Sequence, residues 1–541
     1  MRSRLFLWTF WRLLIGAGLL AGGRALDRLA GFRAYQAPGF AALAFLVGAA
    51  LFFASARELA AAGPAGLAEG GPYCALRHPL SVAFQLMLIG GALALGSPGG
   101  LIAAGPAALL LWAAHALLIE ESDLSRRFHS QYRRYRRATA FLIPSIYFWS
   151  RPVTLLFYRL WCGVRFRGIE QVPRSGPAFL IALHRTYTDP FLMAIGLPRK
   201  VHYIATSVLF LRWLSALYFK SMGCVPLVRN KADLRALVSS FKLLDSGGII
   251  GMFPEGSRSW YGETACEPAV FRLLERRRVP IVTVELEGTF EHQPRYSRRL
   301  RRAPILVRYR AHPPGTAGSR QLIQDLLRRE RAWDARRRRL GLPQPARYAE
   351  QLIYVCPQCA APFRCRGYRD GSLVCGACGT RFTLLKGKGL AGPQGVWSLP
   401  ELEKRNLAWS LSFRPAGLRI DGELFCRRAP GAGAGLQVLR RLRREIGRCL
   451  RPGALVLEED GLLVEDADHP SRRIAYGEIE SILVESNCKL ELSCGNGGAG
   501  LVFFMSPPRY SVFMQHFLRQ RAFGNPYARY RGSNRAEVLP E

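Results

Sequence analysis

His184 and Asp189, in the run Ala182-Leu183-His184-Arg185-Thr186-Tyr187-Thr188-Asp189-Pro190, are spaced to act as a base and the carboxylate that orients it. Such a pair can take a proton from a group as that group begins to act as a nucleophile. On one straight helix, five residues would turn the two side chains about 140° apart. The chain must therefore bend between them. Residues 179–183 are apolar and read as a buried strand, and Pro190-Phe191-Leu192-Met193 reads as the opening of a helix. Asp189 then falls at the N-cap with Pro190 at the first helical position. A strand–loop–helix path lets the carboxylate fold back onto the imidazole. Taken alone, the same residues also read as a capping aspartate beside an incidental histidine.

A second block lies further along the chain: Gly251-Met252-Phe253-Pro254-Glu255-Gly256-Ser257-Arg258-Ser259, after the apolar run Gly248-Ile249-Ile250. Proline and glycine end that strand, and the glycine permits a turn whose N–H groups can face an anion. Arg258 adds a guanidinium suited to phosphate. Between the two blocks, Gly223-Cys224-Val225-Pro226-Leu227-Val228-Arg229 is another short strand ending in arginine, and residues 279–284 form a fourth apolar strand. In order and spacing, these blocks resemble the glycerolipid (lysophosphatidic acid type) acyltransferase family over about residues 150–310. The resemblance implies an α/β domain over 146–312 with His184 as general base and Asp189 fixing its tautomer and steadying the imidazolium. It also implies that Arg229, Glu255, Gly256, Ser257 and Arg258 hold the phosphate and glycerol of a lysophospholipid acceptor. The donor would be an acyl thioester, acyl-CoA or acyl-ACP (acyl carrier protein), and transfer would be direct.

Composition says where such chemistry takes place. A chain of 541 residues is too long for one core. Its formal net charge is +37, carried almost wholly by arginine, which suits an anionic membrane surface or nucleic acid. Nothing supplies the aromatic stacking or base-reading element of a nucleic-acid binder. Apolar segments favour a membrane. Residues 34–56 carry no charge, and residues 79–119 are uncharged apart from His115, with Ser97-Pro98-Gly99-Gly100 breaking them midway. The second segment is thus a hairpin of two spans near the ~20 residues a bilayer needs. Residues 5–23, interrupted by Arg12, add a weaker span, giving four in a domain over 1–145. The basic run of residues 126–137 after the hairpin puts both its ends, and the catalytic regions, in the cytoplasm at a bacterial inner membrane.

The two ends of the hairpin hold a second constellation. Arg77-His78-Pro79 precedes it and Glu120-Glu121 follows it, so folding the hairpin gathers Arg77, His78, Glu120 and Glu121 at one mouth. These residues also read as interfacial charges capping two helices. Both blocks resemble membrane methyltransferases of the isoprenylcysteine carboxyl methyltransferase and phospholipid N-methyltransferase type, departing from them at Leu80-Ser81. That resemblance implies an S-adenosylmethionine site at the four residues.

Of thirteen cysteines, four form Cys356-Pro357-Gln358-Cys359 and Cys375-Gly376-Ala377-Cys378. Two such knuckles around a short spacer predict a zinc ribbon over 351–388, a closed four-thiolate site that stabilises the fold. Before it, the arginine-rich helix of residues 321–342, in a linker over 313–350, reads either as lying on anionic headgroups or as a solvated connector. After it, over 389–525, six short strands at 454–457, 461–464, 473–476, 482–484, 489–492 and 501–504 precede a helix at 510–521. This pattern looks like a pleckstrin-homology domain, and with the ribbon it offers a surface for a protein partner. Residues 526–541 read as a disordered tail.

The chain is thus expected to be multidomain: an α-helical membrane domain, an α/β acyltransferase domain, a zinc ribbon, and a small antiparallel β-domain with a C-terminal helix. Three functions remain open. They are a membrane acyltransferase acting on a lysophospholipid, a lipid methyltransferase alone or beside it, and a non-catalytic membrane scaffold.

Overall fold

The computed structural model describes residues 2–34, 37–63, 66–142, 146–210, 213–227, 234–261, 265–266, 268–297, 299–314, 318–415, 417–427, 451–466, 469–485, 489–494, 500–506, 508–526 and 537–538. They form an N-terminal helical region, a central α/β region and two C-terminal antiparallel sheets.

The first helix, Arg2–Ala30, runs beyond the expected span of residues 5–23 and through Arg24 and Arg28. A second helix spans Pro38–Ala62. The hairpin follows as Pro79–Ala94, a turn, and a helical run Gly100–Arg133 that kinks at His129. Pro38–Ala62 and Gly100–Arg133 are long and apolar enough to cross a membrane, whereas Pro79–Ala94 has 16 residues. Two of the four expected spans therefore meet that test by length and composition. The turn is where the sequence put it, and the first helix explains its position. Asp27, buried, accepts hydrogen bonds from Ser97 Oγ and from Gly99 N, the latter at 2.6 Å. Gly23 lets the backbones meet, since a Cβ there would stand 2.6 Å from Gly100.

The central sheet contains β1 (Arg165–Arg167), β2 (Ala178–Ile181), β3 (Val201–Thr206), β4 (Val225–Leu227), β5 (Ile249–Met252), β7 (Ile281–Glu287) and β8 (Leu306–His312), in the order β1-β8-β7-β2-β5-β3-β4. From β7 to β4 neighbours are parallel, and β8 runs antiparallel to β7. β2 and β5 are apolar throughout and buried along their whole length, as strands covered on both faces must be. They pair in register from Ala178↔Ile249 to Ile181↔Met252. Each first-block and second-block residue three beyond its strand, His184 and Glu255, therefore leaves the same edge side by side.

The basic helix is Ser319–Arg339, and it is not a free connector, because its apolar stripe packs onto the α/β region. Its residues Ile323, Leu326 and Leu327 share one buried cluster with Phe179, Ile181 and Leu183, and Leu322 is buried beside them on the same helix. Its arginines reach acids of the α/β region, Arg329 to Glu285 at 3.1 Å and Arg337 to Glu291 at 2.7 Å.

The ribbon strands β9 (Cys365–Gly367), β10 (Ser372–Cys375) and β11 (Arg381–Leu385) continue into β12 (Gly389–Gly392) and β13 (Gly395–Ser398) as one antiparallel meander. A helix, Leu399–Ser412, follows with a Ser398–Glu401 capping box. The last sheet orders β17 (His469–Ala475), β16 (Gly461–Asp466), β15 (Arg451–Leu457), β14 (Leu418–Arg427), β20 (Gly500–Met505), β19 (Lys489–Cys494) and β18 (Ile479–Glu485). All six strands read from the sequence are present, joined by β14. The closing helix, Ser511–Phe523, is buried on nearly every side. Its Phe513 and Phe517 share one core with ribbon residues Leu373 and Phe382 and with Trp260, Tyr261, Phe290 and Tyr296 of the central region. The sequence boundaries at 312 and 388 are thus not boundaries of packing. In the tail expected to be disordered, β21 (Glu537–Val538) pairs with β6 (Ala265–Cys266), and residues 527–536 and 539–541 lie outside the described residues.

Candidate active site and metal centre

His184 Nδ1 lies 3.0 Å from Asp189 Oδ2, and Asp189 is fully buried. Asp189 does not cap its helix. That helix begins at Asp189 itself, with Thr188 at the cap position. The carboxylate instead turns back on the loop, where Oδ2 accepts from Arg185 N at 2.6 Å and Thr186 N at 2.7 Å, and Oδ1 from Thr186 Oγ1 at 2.5 Å. An oxygen already accepting two backbone N–H groups leaves Nδ1 as the donating nitrogen of His184 and frees Nε2 to act as a base. Phe253 of the second block stacks on the imidazole, centroid to centroid 4.2 Å at 22°. Burial draws the His184 pKa below its ordinary value against the pull of Asp189, and the Arg258 and Arg295 cations act in the same direction as burial.

Glu255 is buried in the loop, and its Oε1 accepts from His184 N at 3.0 Å and from Arg185 Nη1 at 3.0 Å, a clamp that the sequence did not foretell. Burial pushes its carboxyl up to about 7 against the attraction of Arg185. Ser259 N donates to His184 O at 2.9 Å, so the two blocks are zipped backbone to backbone. Gly256 is exposed with φ 60°, a left-handed turn that favours glycine, closed by Gly256 N donating to Phe253 O at 2.9 Å. Ser257 is half-buried beside it. The Arg258 guanidinium lies 3.3 Å over the ring of Tyr187, an exposed residue of the first block. Arg229 lies outside the described residues.

Sequence reasoning passed over Arg185. It is 2% exposed and its guanidinium is the hub of the loop: Nε and Nη2 each meet a Glu330 oxygen at 2.8 Å, and Nη1 meets Ser259 Oγ at 2.6 Å as well as Glu255. The partner Glu330 is 145 residues away. The only local signal was the place of Arg185 beside His184.

At the hairpin mouth the four expected residues do meet. Arg77 pairs with Glu121 at 2.6 Å, and the buried His78 ring spans Glu120 at 2.7 Å and Glu121 at 3.5 Å. Two residues not anticipated join them on Glu120, Arg12 at 2.6 Å and His115 at 3.1 Å. The arginine that weakened the first span is therefore an ion-pair partner.

The four knuckle cysteines converge, every Sγ within 4.8 Å of the others, with Cys356–Cys378 at 3.9 Å and Cys359–Cys375 at 3.8 Å. Four sulfurs each about 2.3 Å from one tetrahedral ion stand roughly 3.8 Å apart, so the set fits a metal of that geometry. Cys365 lies outside the cluster, paired across the ribbon with Cys375.

The acyltransferase family matches residues 163–287. A 1-acyl-sn-glycerol-3-phosphate acyltransferase of Bacillus subtilis (strain 168) is 24% identical over 128 residues, 23% of this chain, and the chain spans 63% of that relative's length. Among solved structures, the 1-acyl-sn-glycerophosphate (LPA) acyltransferase of Thermotoga maritima aligns with 42% of this chain and 92% of its own, at 17% identity. The TM-score of that alignment is 0.29. The His184–Asp189 pair and the Glu255 block both fall inside the matched residues, and the middle region of this chain carries an acyltransferase domain.

Proposed function

We propose that this chain is a membrane-bound acyltransferase that moves a fatty acyl group from a thioester, acyl-CoA or acyl-ACP, to the hydroxyl of a lysophosphatidic acid-like lysophospholipid. The observation that carries this reading is the His184–Asp189 contact at 3.0 Å, held by Glu255 from the adjoining strand end. His184 Nε2 takes the hydroxyl proton as the oxygen attacks the thioester carbon, and Asp189 stabilises the imidazolium that forms. Collapse of the tetrahedral adduct breaks the C–S bond, and the imidazolium returns the proton to the leaving thiolate. Arg258, beside Tyr187, and Arg229 are the cations assigned to the acceptor phosphate.

Membrane residence is supported by the Pro38–Ala62 and Gly100–Arg133 helices. It is supported again by the helix Ile146–Cys162, which leads into the catalytic region and exposes Val153, Leu156 and Leu160. Four spans with the catalytic regions in the cytoplasm remain the proposed topology. The ribbon cysteines are assigned a structural zinc, and the C-terminal sheet and helix a pleckstrin-homology-like role in binding a protein partner.

The test is acyl transfer by purified protein with a lysophosphatidic acid acceptor and an acyl thioester. His184→Ala should abolish transfer while leaving membrane insertion intact, and transfer surviving that change would sink the assignment.

A second reading, S-adenosylmethionine-dependent lipid methylation, rests on the meeting of Arg77, His78, Glu120 and Glu121. The donor set suits that cofactor, a guanidinium for its carboxylate and carboxylates for its ammonium, and among the described residues buried Ser81 Oγ, Gln85 Oε1 and Trp112 Nε1 of the same bundle have no hydrogen-bond partner. The cofactor would supply an electrophilic methyl group. Calorimetry of wild type against Glu121→Ala tests it, and absence of binding to wild type discards it.

A further inference from the structure

The turn between β11 and β12 carries Gly387 and Lys388, with φ 76° and 53°. It lies directly on the Ser319–Arg339 helix: a Cβ on Gly387 would stand 2.2 Å from Asp334 O, and Gly387 O accepts from Arg338 Nη1 at 2.8 Å. Lys388 is 3% exposed. Its Nζ lies 2.5 Å from Glu330 Oε1 and 2.8 Å from Asp334 Oδ2. Glu330 is the same carboxylate that grips Arg185 with both oxygens. A buried charge persists only where it is paired, and removing one partner leaves the others to rearrange or change protonation. Burial opposes ionisation of Glu330, and the Arg185 and Lys388 cations overcome it, holding its carboxyl well below the usual range.

We propose that Lys388, from the ribbon hairpin, is a positioning residue for acyl transfer that acts on the His184 loop through Glu330 and Arg185. The proposal rests on the acyltransferase reading of that loop. Without Lys388, half-buried Glu330 and buried Asp334 lose the ammonium between them, and Glu330 is left with the Arg185 guanidinium, which Glu255 and Ser259 also share. One of the pair must then take a proton or draw Arg185 away. The guanidinium also binds Glu255, whose Oε1 accepts from His184 N, so drawing Arg185 away loosens the support of the His184 loop. The ribbon and the base are thus joined by one line of charge-assisted contacts, so the ribbon acts as a brace for the catalytic loop as well as a folding element.

The experiment uses the full chain in detergent micelles as wild type, Lys388→Met, Lys388→Arg and Glu330→Gln. A misplacement of about 1 Å in a catalytic group costs about 10²-fold, so Lys388→Met should lower kcat by about that factor. KM for donor and acceptor should stay within about threefold, because the loss lies in the reacting geometry and not in uniform binding. Amide hydrogen exchange at Arg185 and Thr186 should quicken by about tenfold or more while the ribbon stays protected. Lys388→Arg, which keeps the charge, should restore both kcat and protection. Wild-type exchange at Arg185 and Thr186 in Lys388→Met overturns the proposal, and so does a loss that Lys388→Arg fails to rescue. If Lys388→Met does not fold, Glu330→Gln carries the same test, and unchanged loop exchange there overturns the proposal. A wild-type protein that transfers no acyl group sinks the acyltransferase reading, while the exchange data still decide the positioning role.

Discussion

Asp189→Asn removes the charge beside the proposed base at almost constant shape. Four donors meet the carboxylate: His184 Nδ1, Arg185 N and Thr186 N on Oδ2, and Thr186 Oγ1 on Oδ1. An asparagine oxygen in the place of Oδ2 keeps the first three, and its amide faces Thr186 Oγ1, which must turn to accept. Hydrogen bonds to a charged group contribute roughly 1.5–3 kcal/mol and neutral ones about 0.5–1.5, so three weakened bonds cost the domain about 3 kcal/mol. The chemistry loses more. Unit charges about 4 Å apart interact by about 4 kcal/mol at an effective dielectric near 20. That energy corresponds to about three decades of rate at 1.36 kcal/mol per decade. The proton is only partly transferred in the transition state, so kcat should fall by roughly 10²–10³-fold. The assay is thiol release from an acyl thioester by the full chain, on the pH plateau of the wild type, with a thermal melt to confirm that the variant is folded. A folded Asp189→Asn protein within about threefold of wild-type kcat would refute the assignment of Asp189 as the group that stabilises the imidazolium.

The acid side of the pH profile should report two groups. His184 must be unprotonated to act and titrates below its ordinary value, while Glu255 must be ionised to hold Arg185 and titrates at about 7. Falling pH protonates both, so log kcat/KM against pH should approach a slope of about 2 in wild type and about 1 in Glu255→Gln, and equal slopes would contradict the clamp. Gly251→Ala should destabilise the sheet: its Cβ would stand 2.3 Å from Tyr203 Cε1 and 2.8 Å from Met193 Cε. Overpacking of this kind costs about 1–3 kcal/mol, read as a lower denaturant midpoint, and an unchanged midpoint would contradict the packing. Metal analysis should find a single zinc per chain, lost in Cys356→Ser together with exchange protection over residues 354–380. Reduced wild type without metal would remove the zinc assignment.

His184, Asp189 and the Glu255 loop were legible in the sequence because their signals are local: an apolar strand, a turn and a helix start occupy one short window. The same holds for the cysteine knuckles, the hairpin break at Ser97–Gly100 and the six short strands of the last sheet, where alternation and turn residues mark each element. The roles of Asp189 and Glu255 were less legible. A carboxylate at a helix start and another in a glycine turn look the same whether they cap, bind ligand or hold a loop, and only the direction of the side chain decides. Tertiary structure alone decided that the arginine-rich helix belongs to the core, that Trp260 and Tyr261 enter the C-terminal module, and that Arg12 serves Glu120. It alone brought Lys388 and Glu330 to Arg185. Charge density along a helix reads as solvent-facing until another surface covers it, and a part-buried ion pair between residues 145 apart leaves no periodicity in either segment. Local pattern determined the elements and the His184–Asp189 pair, while the long-range pairing of charges, which only packing can enforce, determined what holds that pair in place.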